Sequence, residues 1–431
     1  MPDAPDQPTK LQSDADRIHA YRSEIKSGLL RPAAGMLTRP YLSAGTGQTY
    51  PDLTDWDAIW AGAAYLIDGD AEPLRNSLLN LLEHIGPDGK GQRRIGKDRY
   101  SAPPYQIRPF LAAGCFVLSR ETDDVTWLGP EGFEQLEAYL LYRHSHNMGR
   151  EGLLTWLHID EGFGDNATAN WAWEPNVVEA VDLNAQMVYE HTAFAWLATR
   201  VGDERRASRH TAYARRLAAS INRLLWNEED AFYYSLYIPP LRQSPSQHIS
   251  AAHASNLWPL WLGIVPDTRA RRIIDRYVLS AEHMWSDYGI RSLSRSSRHY
   301  NNAHNGIAMP IGHHAMQGPA IDTATCSNWQ GPVWALHNYF AVQYLRRYGY
   351  FDEAREVAAR IMTLHAASLE EHGAYFENFD AETGSGLAAL GIGSWGLMLP
   401  QLVSDLETGS DWWLRGLELP QAEDDAGGHP S

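Results

Sequence analysis

Two carboxylates placed far apart in the chain have the setting that acid and base chemistry requires. The first is Asp165, in the segment LHIDEGFGDNATANWAWEPN that runs from Leu157 to Asn176. Asp160, Glu161 and Asp165 are interleaved there with Gly162 and Gly164. Glycine adopts positive φ freely, so a carboxylate that follows it can be turned into a cavity a regular helix would not reach. A plain turn at Asp165-Asn166 is the competing reading, because Asp and Asn favour turns. The second is Glu377, in AYFENFDAETGSGLAALGIGSWG from Ala374 to Gly396. Phe376 and Phe379 flank it, and aromatic neighbours desolvate a carboxylate and hold it rigid, as a general base requires. A structural Glu bonded to loop backbone competes at this position, and Glu382, near Gly384, reads as a solvated turn residue. Carboxylates facing one another across a cavity are what hydrolysis of a glycosidic bond needs: one protonates the leaving oxygen, the other acts as base or nucleophile.

Trp beside Asp suits a neutral sugar, whose ring stacks on the apolar face while the carboxylate accepts from hydroxyls. YPDLTDWDAIWAG offers Tyr50, Asp55, Trp56, Asp57 and Trp60 at a helix start. CSNWQGPVWALHNYF offers Trp329, Gln330, Gly331 and Trp334 around a Gly-Pro turn. The candidate substrate contacts are therefore Trp56, Asp57, Tyr50, Gln106, Trp171, Trp329, Gln330, Gly331, Trp334 and Trp395, with core packing as the competing account of the tryptophans. Other chemistries lack their motifs: there is no G-x-x-x-x-G-K-[ST] for phosphates, no H-E-x-x-H for zinc and no G-x-S-x-G elbow. AHNGIAMPIGHH brings His304, His313 and His314 together without a thiol or acid at ligand spacing, so no metal and no cofactor is expected.

The elements that must position these residues are helical. From Asp70 the chain reads DAEPLRNSLLNLLEHIG, with an acidic cap, Pro73 in the first turn, Leu74, Leu78, Leu81, Leu82 and Ile85 on one face, and Gly86 as a stop. Comparable patterns occupy Leu183 to Val201, Arg205 to Trp226, Ala251 to Ile264, Thr268 to Leu279, Val333 to Tyr348 and Phe351 to Glu371, with weaker ones near Thr54, Tyr105, Pro130 and Ile392. FYYSLYI around Phe232 is the best strand signal and reads as a hairpin arm. Roughly a dozen helices joined by short turns suit an all-α fold of six hairpins closing into a ring, an (α/α)6 barrel. Residues 1–14 and 421–431 are polar and expected to be frayed, leaving 15–420 as a single catalytic domain. Four segments break the helical rhythm, Leu37 to Asp55, Leu157 to Asp182, Ser286 to Trp329 and Tyr375 to Trp395, and long irregular segments in compact domains tend to carry function.

Composition narrows the partners. The formal net charge of -17 opposes nucleic acid and anionic membranes, and no apolar run is long enough to span a bilayer. The N-terminal MPDAPDQPTKLQSDADR is neither a secretory signal nor a transit peptide, and Cys115 and Cys326 are too few and too distant for a disulfide framework, so the cytoplasm is expected. Sixteen Trp and 21 Tyr against 10 Phe suit sugar stacking as well as packing. The expected partner is a small molecule, and a homo-oligomer stays open.

Taken in order, these segments resemble glycoside hydrolase family 63 and the related trehalases, whose catalytic domain is an (α/α)6 barrel. EGFGDN resembles the family's E-S-G-x-D-N, FENFDAETGSG its W-E-x-Y…T-G-x-G, NWQGPVW its Y-W-R-G-P-[IV]-W and TDWDAIWAG its early L-W-D segment. VDLNAQM, LWPLWLGIV, DYGIRSLS and IGSWG add support. The resemblance implies inverting hydrolysis of an α-glycoside, with Asp165 as general acid, Glu377 as general base and the carboxyls about 6.5–9.5 Å apart. Small cytosolic relatives include hydrolases of glucosylglycerate and mannosylglycerate, so a small α-glucoside or α-mannoside is the implied substrate. The sequence departs from the pattern in lacking the Ser before the first Gly of E-S-G-x-D-N and the Ser-Pro after Asp165-Asn166. Gln330 also replaces the usual Arg, removing a fixed cation. Two rivals share the barrel: a sugar isomerase like the N-acylglucosamine 2-epimerases, whose paired His motifs are not evident here, and a non-catalytic carbohydrate-binding barrel. The loop from Leu37 to Tyr50, with GTGQTY, has the composition of a mobile lid.

Overall fold

Burial alternates from one helix to the next. This computed structural model describes residues 7–100, 105–157, 161–172, 176–241, 243–306 and 327–421. Among them are twelve α-helices. They are α1 (Gln7–Leu29), α2 (Asp55–Ile67), α3 (Glu72–Glu83), α4 (Leu111–Thr122), α5 (Gly129–His146), α6 (Val181–Arg200), α7 (Glu204–Leu224), α8 (Trp258–Leu262), α9 (Asp267–Ile273), α10 (Ala335–Arg347), α11 (Phe351–His372) and α12 (Gln401–Thr408). α2 buries 12 of its 13 residues and α6 17 of its 20, whereas α7 buries 6 of 21. A helix covered all round belongs inside, and one with a single apolar stripe lies outside.

Helices α2, α4, α6, α8 and α10, with the short turn Trp395–Met398, form the inner ring. α2 packs on α4, α4 on α6, α6 on α8 and α8 on α10; α10 meets the short turn Trp395–Met398 that leads into α12, and this turn packs back on α2. The odd-numbered helices stand outside, with α1 packed on α11. Six outer–inner pairs thus close into the (α/α)6 barrel that the helix count implied. The expected strand around Phe232 is two short pieces: Phe232–Tyr233 pairs with Trp226–Asn227, and Leu236–Tyr237 pairs with Val178–Glu179 and Gln247–His248.

One helix escaped the sequence reading. α1 starts at Gln7, so the frayed N-terminus expected up to residue 14 is helical from there, while residues 1–6 and 422–431 lie outside the described residues. Its buried stripe is Ala15, Ile18, Arg22, Ile25 and Leu29, with a charged residue in an apolar slot. Arg22 is tolerated there because its guanidinium pairs with Asp68 and donates to the Leu397 carbonyl at 3.1 Å.

Side chains from one helix cap another. α4 has no local side-chain cap, and Glu190 of α6 accepts from the N–H groups of Ala112 and Ala113 at 3.0 and 2.8 Å. That carboxyl satisfies orphan donors of the first turn and complements the helix dipole. Inside the ring the tryptophans pack on one another and on phenylalanines: Trp60 and Phe110 lie 4.6 and 5.0 Å from Trp413, and Trp258 and Trp261 lie 4.5 and 4.3 Å from Phe340. Much of the aromatic content is therefore core. Cys115 is buried within it, and Cys326 lies outside the described residues. No helix among the described residues is long and apolar enough to cross a membrane.

Candidate active site

The loop that carries Asp165 is held from below by a buried carboxyl. Asp182, at the head of α6, accepts from Trp156 Nε1, the Phe163 N–H and Asn170 Nδ2 at 3.0, 3.3 and 3.0 Å. Glu161 is fully buried and accepts from the backbone N–H groups of Gln106 and Leu157 at 2.9 and 3.3 Å, so it is structural. Asp160 lies outside the described residues. Asn166 clamps the other flank: its Nδ2 donates to the Ser327 carbonyl at 2.8 Å, and its Oδ1 accepts from the Trp329 N–H at 2.9 Å. Asp165 is presented between these anchors, with Ser327 Oγ donating to its Oδ1 at 3.1 Å. The expected positive φ is not what Gly164 supplies. A Cβ there would stand 2.7 Å from Trp329 Cγ, so the glycine lets backbone and indole touch.

Glu377 comes from a hairpin. Phe376–Phe379 pairs antiparallel with Gly386–Leu390, in the register Phe376 to Leu390 and Asn378 to Leu387. Two residues, Ala388 and Ala389, therefore oppose Glu377, and Ala388 has φ +59°. Such a bulge re-aims a side chain without ending the pairing. Glu377 is 8% exposed, and its carboxyl accepts from Tyr50 Oη at 3.1 Å. Burial, then the negative charge of Asp165, push it up to about 8, against the Tyr50 hydrogen bond; Asp57 adds to the rise. Glu382, expected to be a solvated turn residue, instead ties the hairpin down by accepting from Tyr300 Oη at 2.6 Å and pairing with Arg291 at 2.9 Å.

One cavity brings the two carboxylates together. Asp165 and Glu377 line it with five of the expected sugar contacts, Tyr50, Trp56, Asp57, Trp329 and Trp395. Trp56 and Trp329 lie 4.8 and 5.6 Å from Phe163 beneath them, making an aromatic floor. The sequence reading missed Arg93, Arg94, Arg108, Phe163 and Ser327, which also line the cavity. Arg108 has no motif to mark it: its Nη2 reaches Asp55 at 2.7 Å and Asp57 at 3.4 Å, and its guanidinium lies 4.3 Å from the Trp56 ring. Fixed cations are thus present although Gln330 stands where an Arg was expected. Asp57 is buried, which raises its carboxyl, and Arg108 opposes the rise.

The other five expected contacts do not line this cavity. Gln106 spends its side chain on backbone, accepting from Gly91 N–H at 2.6 Å and donating to the Gly89 carbonyl at 3.3 Å. Trp334 stacks behind Trp329 at 3.5 Å, and Gln330 Nε2 donates to the Asn166 carbonyl at 3.0 Å, supporting the Asp165 loop. Gly331 is needed for packing, because a Cβ would stand 2.2 Å from the Asn301 carbonyl oxygen. Trp171 donates to the Asn166 carbonyl at 3.2 Å and packs on His299. Of the three clustered histidines, His304 accepts from the Ala388 N–H at 3.1 Å, while His313 and His314 lie outside the described residues. The loop expected as a lid is bonded along the segment after the hairpin: Thr46 N–H donates to the Gly391 carbonyl at 3.0 Å and Gly393 N–H to the Ala44 carbonyl at 2.7 Å. It forms a wall.

Comparison with known proteins agrees with this architecture. The model of the mannosylglycerate hydrolase MGH1-like glycoside hydrolase domain matches residues 142–394. A mannosylglycerate hydrolase from Rubrobacter radiotolerans is 29% identical over 212 residues, which cover 49% of this chain and 40% of that protein. The matched part thus spans less than half of that relative. The crystal structure of a GH63 mannosylglycerate hydrolase from Thermus thermophilus in complex with glucose superposes with a TM-score of 0.67 at 18% identity, covering 90% of this chain and 99% of that one. Neutral trehalase Nth1 from Saccharomyces cerevisiae gives a TM-score of 0.58 at 15% identity, covering 87% and 74%.

Proposed function

The chain belongs to the mannosylglycerate hydrolase MGH1-like glycoside hydrolase family, and from that premise we propose that it hydrolyses a small α-glucoside or α-mannoside with inversion, acting as one catalytic domain in the cytoplasm. The observation that carries this reading is the pairing of Asp165 and Glu377 in one cavity over a Trp floor. Asp165, protonated, gives its proton to the glycosidic oxygen as the bond to the anomeric carbon breaks. Glu377, ionised, takes a proton from a water that attacks that carbon on the opposite face. Trp56, Trp329 and Trp395 supply flat apolar surface for the sugar, and Asp57, steadied by Arg108, accepts from its hydroxyls.

Glu377 by itself holds a proton near neutrality, which is an acid's habit. The Asp165 charge is among the causes that hold that proton on Glu377, and the working state is the singly protonated pair in which the proton stands on Asp165 instead. The test is incubation with α-glucosides and α-mannosides, including glycerate conjugates, followed at the anomeric proton by NMR. Release of the β-anomer first is expected. Release of the α-anomer first, or isomerisation of a free sugar, overturns the mechanism.

A further inference from the structure

Tyr50 stands at the end of the wall loop with φ +42°. A bulky residue takes that backbone conformation only where its surroundings enforce it, and such strain gathers at functional sites. What enforces it here is the segment after the Glu377 hairpin. Thr46 N–H donates to the Gly391 carbonyl, Thr49 Oγ1 reaches the Leu390 carbonyl at 3.3 Å, and Gly45 bridges to Ile392. Leu390 is also the last residue of the return strand that faces Phe376. The phenol and the carboxylate therefore ride on one frame, and Tyr50 Oη meets Glu377 Oε2 at 3.1 Å within the cavity.

Resting on the reading of Glu377 as base, we infer that Tyr50 is a positioning residue: its hydroxyl holds Oε2 and, with the Ala389 N–H, favours ionised Glu377 so that Asp165 carries the proton. A donated hydrogen bond stabilises the charged form of a carboxyl. The groups facing Glu377 are Asp165 from the acid loop, Asp57 from α2, and Arg93, Arg94 and Arg108 on the cavity wall, with His304 bonded to the opposing strand at Ala388. Asp165 and Asp57 both drive a proton onto Glu377, and Tyr50 works against them.

Tyr50→Phe removes the hydroxyl and keeps the ring. In the full chain, acting on the best substrate of the anomeric assay, kcat should fall by about 10- to 100-fold, the worth of a hydrogen bond to a charged group, while KM stays within about threefold. The alkaline limb of kcat/KM should move up by about one pH unit, since losing a donor to the charged form raises Glu377. An independent readout is the side-chain carboxyl signal of Glu377 in 13C NMR, assigned by its disappearance in Glu377→Gln, which should titrate at higher pH in Tyr50→Phe. A carboxyl titration and a pH limb that both stay in place while the variant keeps its melting temperature overturn the inference. If no glycoside is turned over, the reading of the reaction fails, and the carboxyl titration still decides whether Tyr50 sets the ionisation of Glu377.

Discussion

Glu377 is costly to the fold in a way that can be measured. Its carboxyl is pushed from its ordinary 4.5 up to about 8 in the folded chain. The native state therefore binds more protons than the unfolded one between these values, and stability falls as pH rises through that window. Glu377→Gln should raise the melting temperature at pH 9 by at least about 2 °C, and by less at pH 5, where the native carboxyl is already neutral. The same substitution, like Asp165→Asn, should cut turnover by about 10²–10⁴-fold. A Glu377→Gln protein that melts no higher at pH 9 would show that this carboxyl is not held above its ordinary range. At this scale the sequence named both carboxylates and five cavity residues, because each sits in a segment whose composition is unusual. Arg93, Arg94 and Arg108 were invisible to it, since a cation's role depends on carboxylates that only the fold brings near.

The Asp165 loop and the Glu377 hairpin are built by different means. The loop is shaped by acceptors that lie under it, Asp182 and Glu161, and by the Asn166 clamp on residues 327–329; the hairpin is shaped by its own bulge. Gly164→Ala tests the first. Its Cβ would meet Trp329 at 2.7 Å, and neither the indole, stacked on Trp334, nor the anchored loop has room to yield. Displacement of a catalytic group by about 1 Å can cost about 10²-fold, so turnover should drop by that order with the circular dichroism of the helices unchanged. Activity within twofold of the parent would mean that the loop is not rigidly set. Helix periodicity made α3, α6, α7, α10 and α11 legible, whereas α1 was hidden by Arg22 in its buried stripe. Gln106, Gln330 and Gly331 do not line the cavity, and a polar residue or glycine near a motif reads the same whether it faces a ligand or backbone.

Across the whole molecule, stability rests on an interior filled with rings. Trp413 is fully buried between Trp60 and Phe110, and Tyr189 Oη donates to its carbonyl at 2.8 Å. Trp413→Ala should destabilise the chain by about 3–5 kcal/mol, seen as an earlier denaturant midpoint, with KM unchanged at low temperature because Trp413 does not line the cavity. A midpoint within error of the parent would show that the aromatic interior tolerates a void. Ring closure itself was legible as a count of helices, but which face turned inward followed from burial that no single stripe foretold. The order of the pieces around that ring bears on how a working copy comes into being. Tyr50 precedes α2, Asp165 lies between α5 and α6, and Glu377 follows α11. As the polypeptide leaves the ribosome, Trp56, Phe163 and Asp165 emerge while Glu377 is still unmade, and Tyr50 waits for a carboxylate encoded more than 300 codons later. The facing carboxylates are thereby withheld from every nascent chain until the last helix pair arrives to shut the circle.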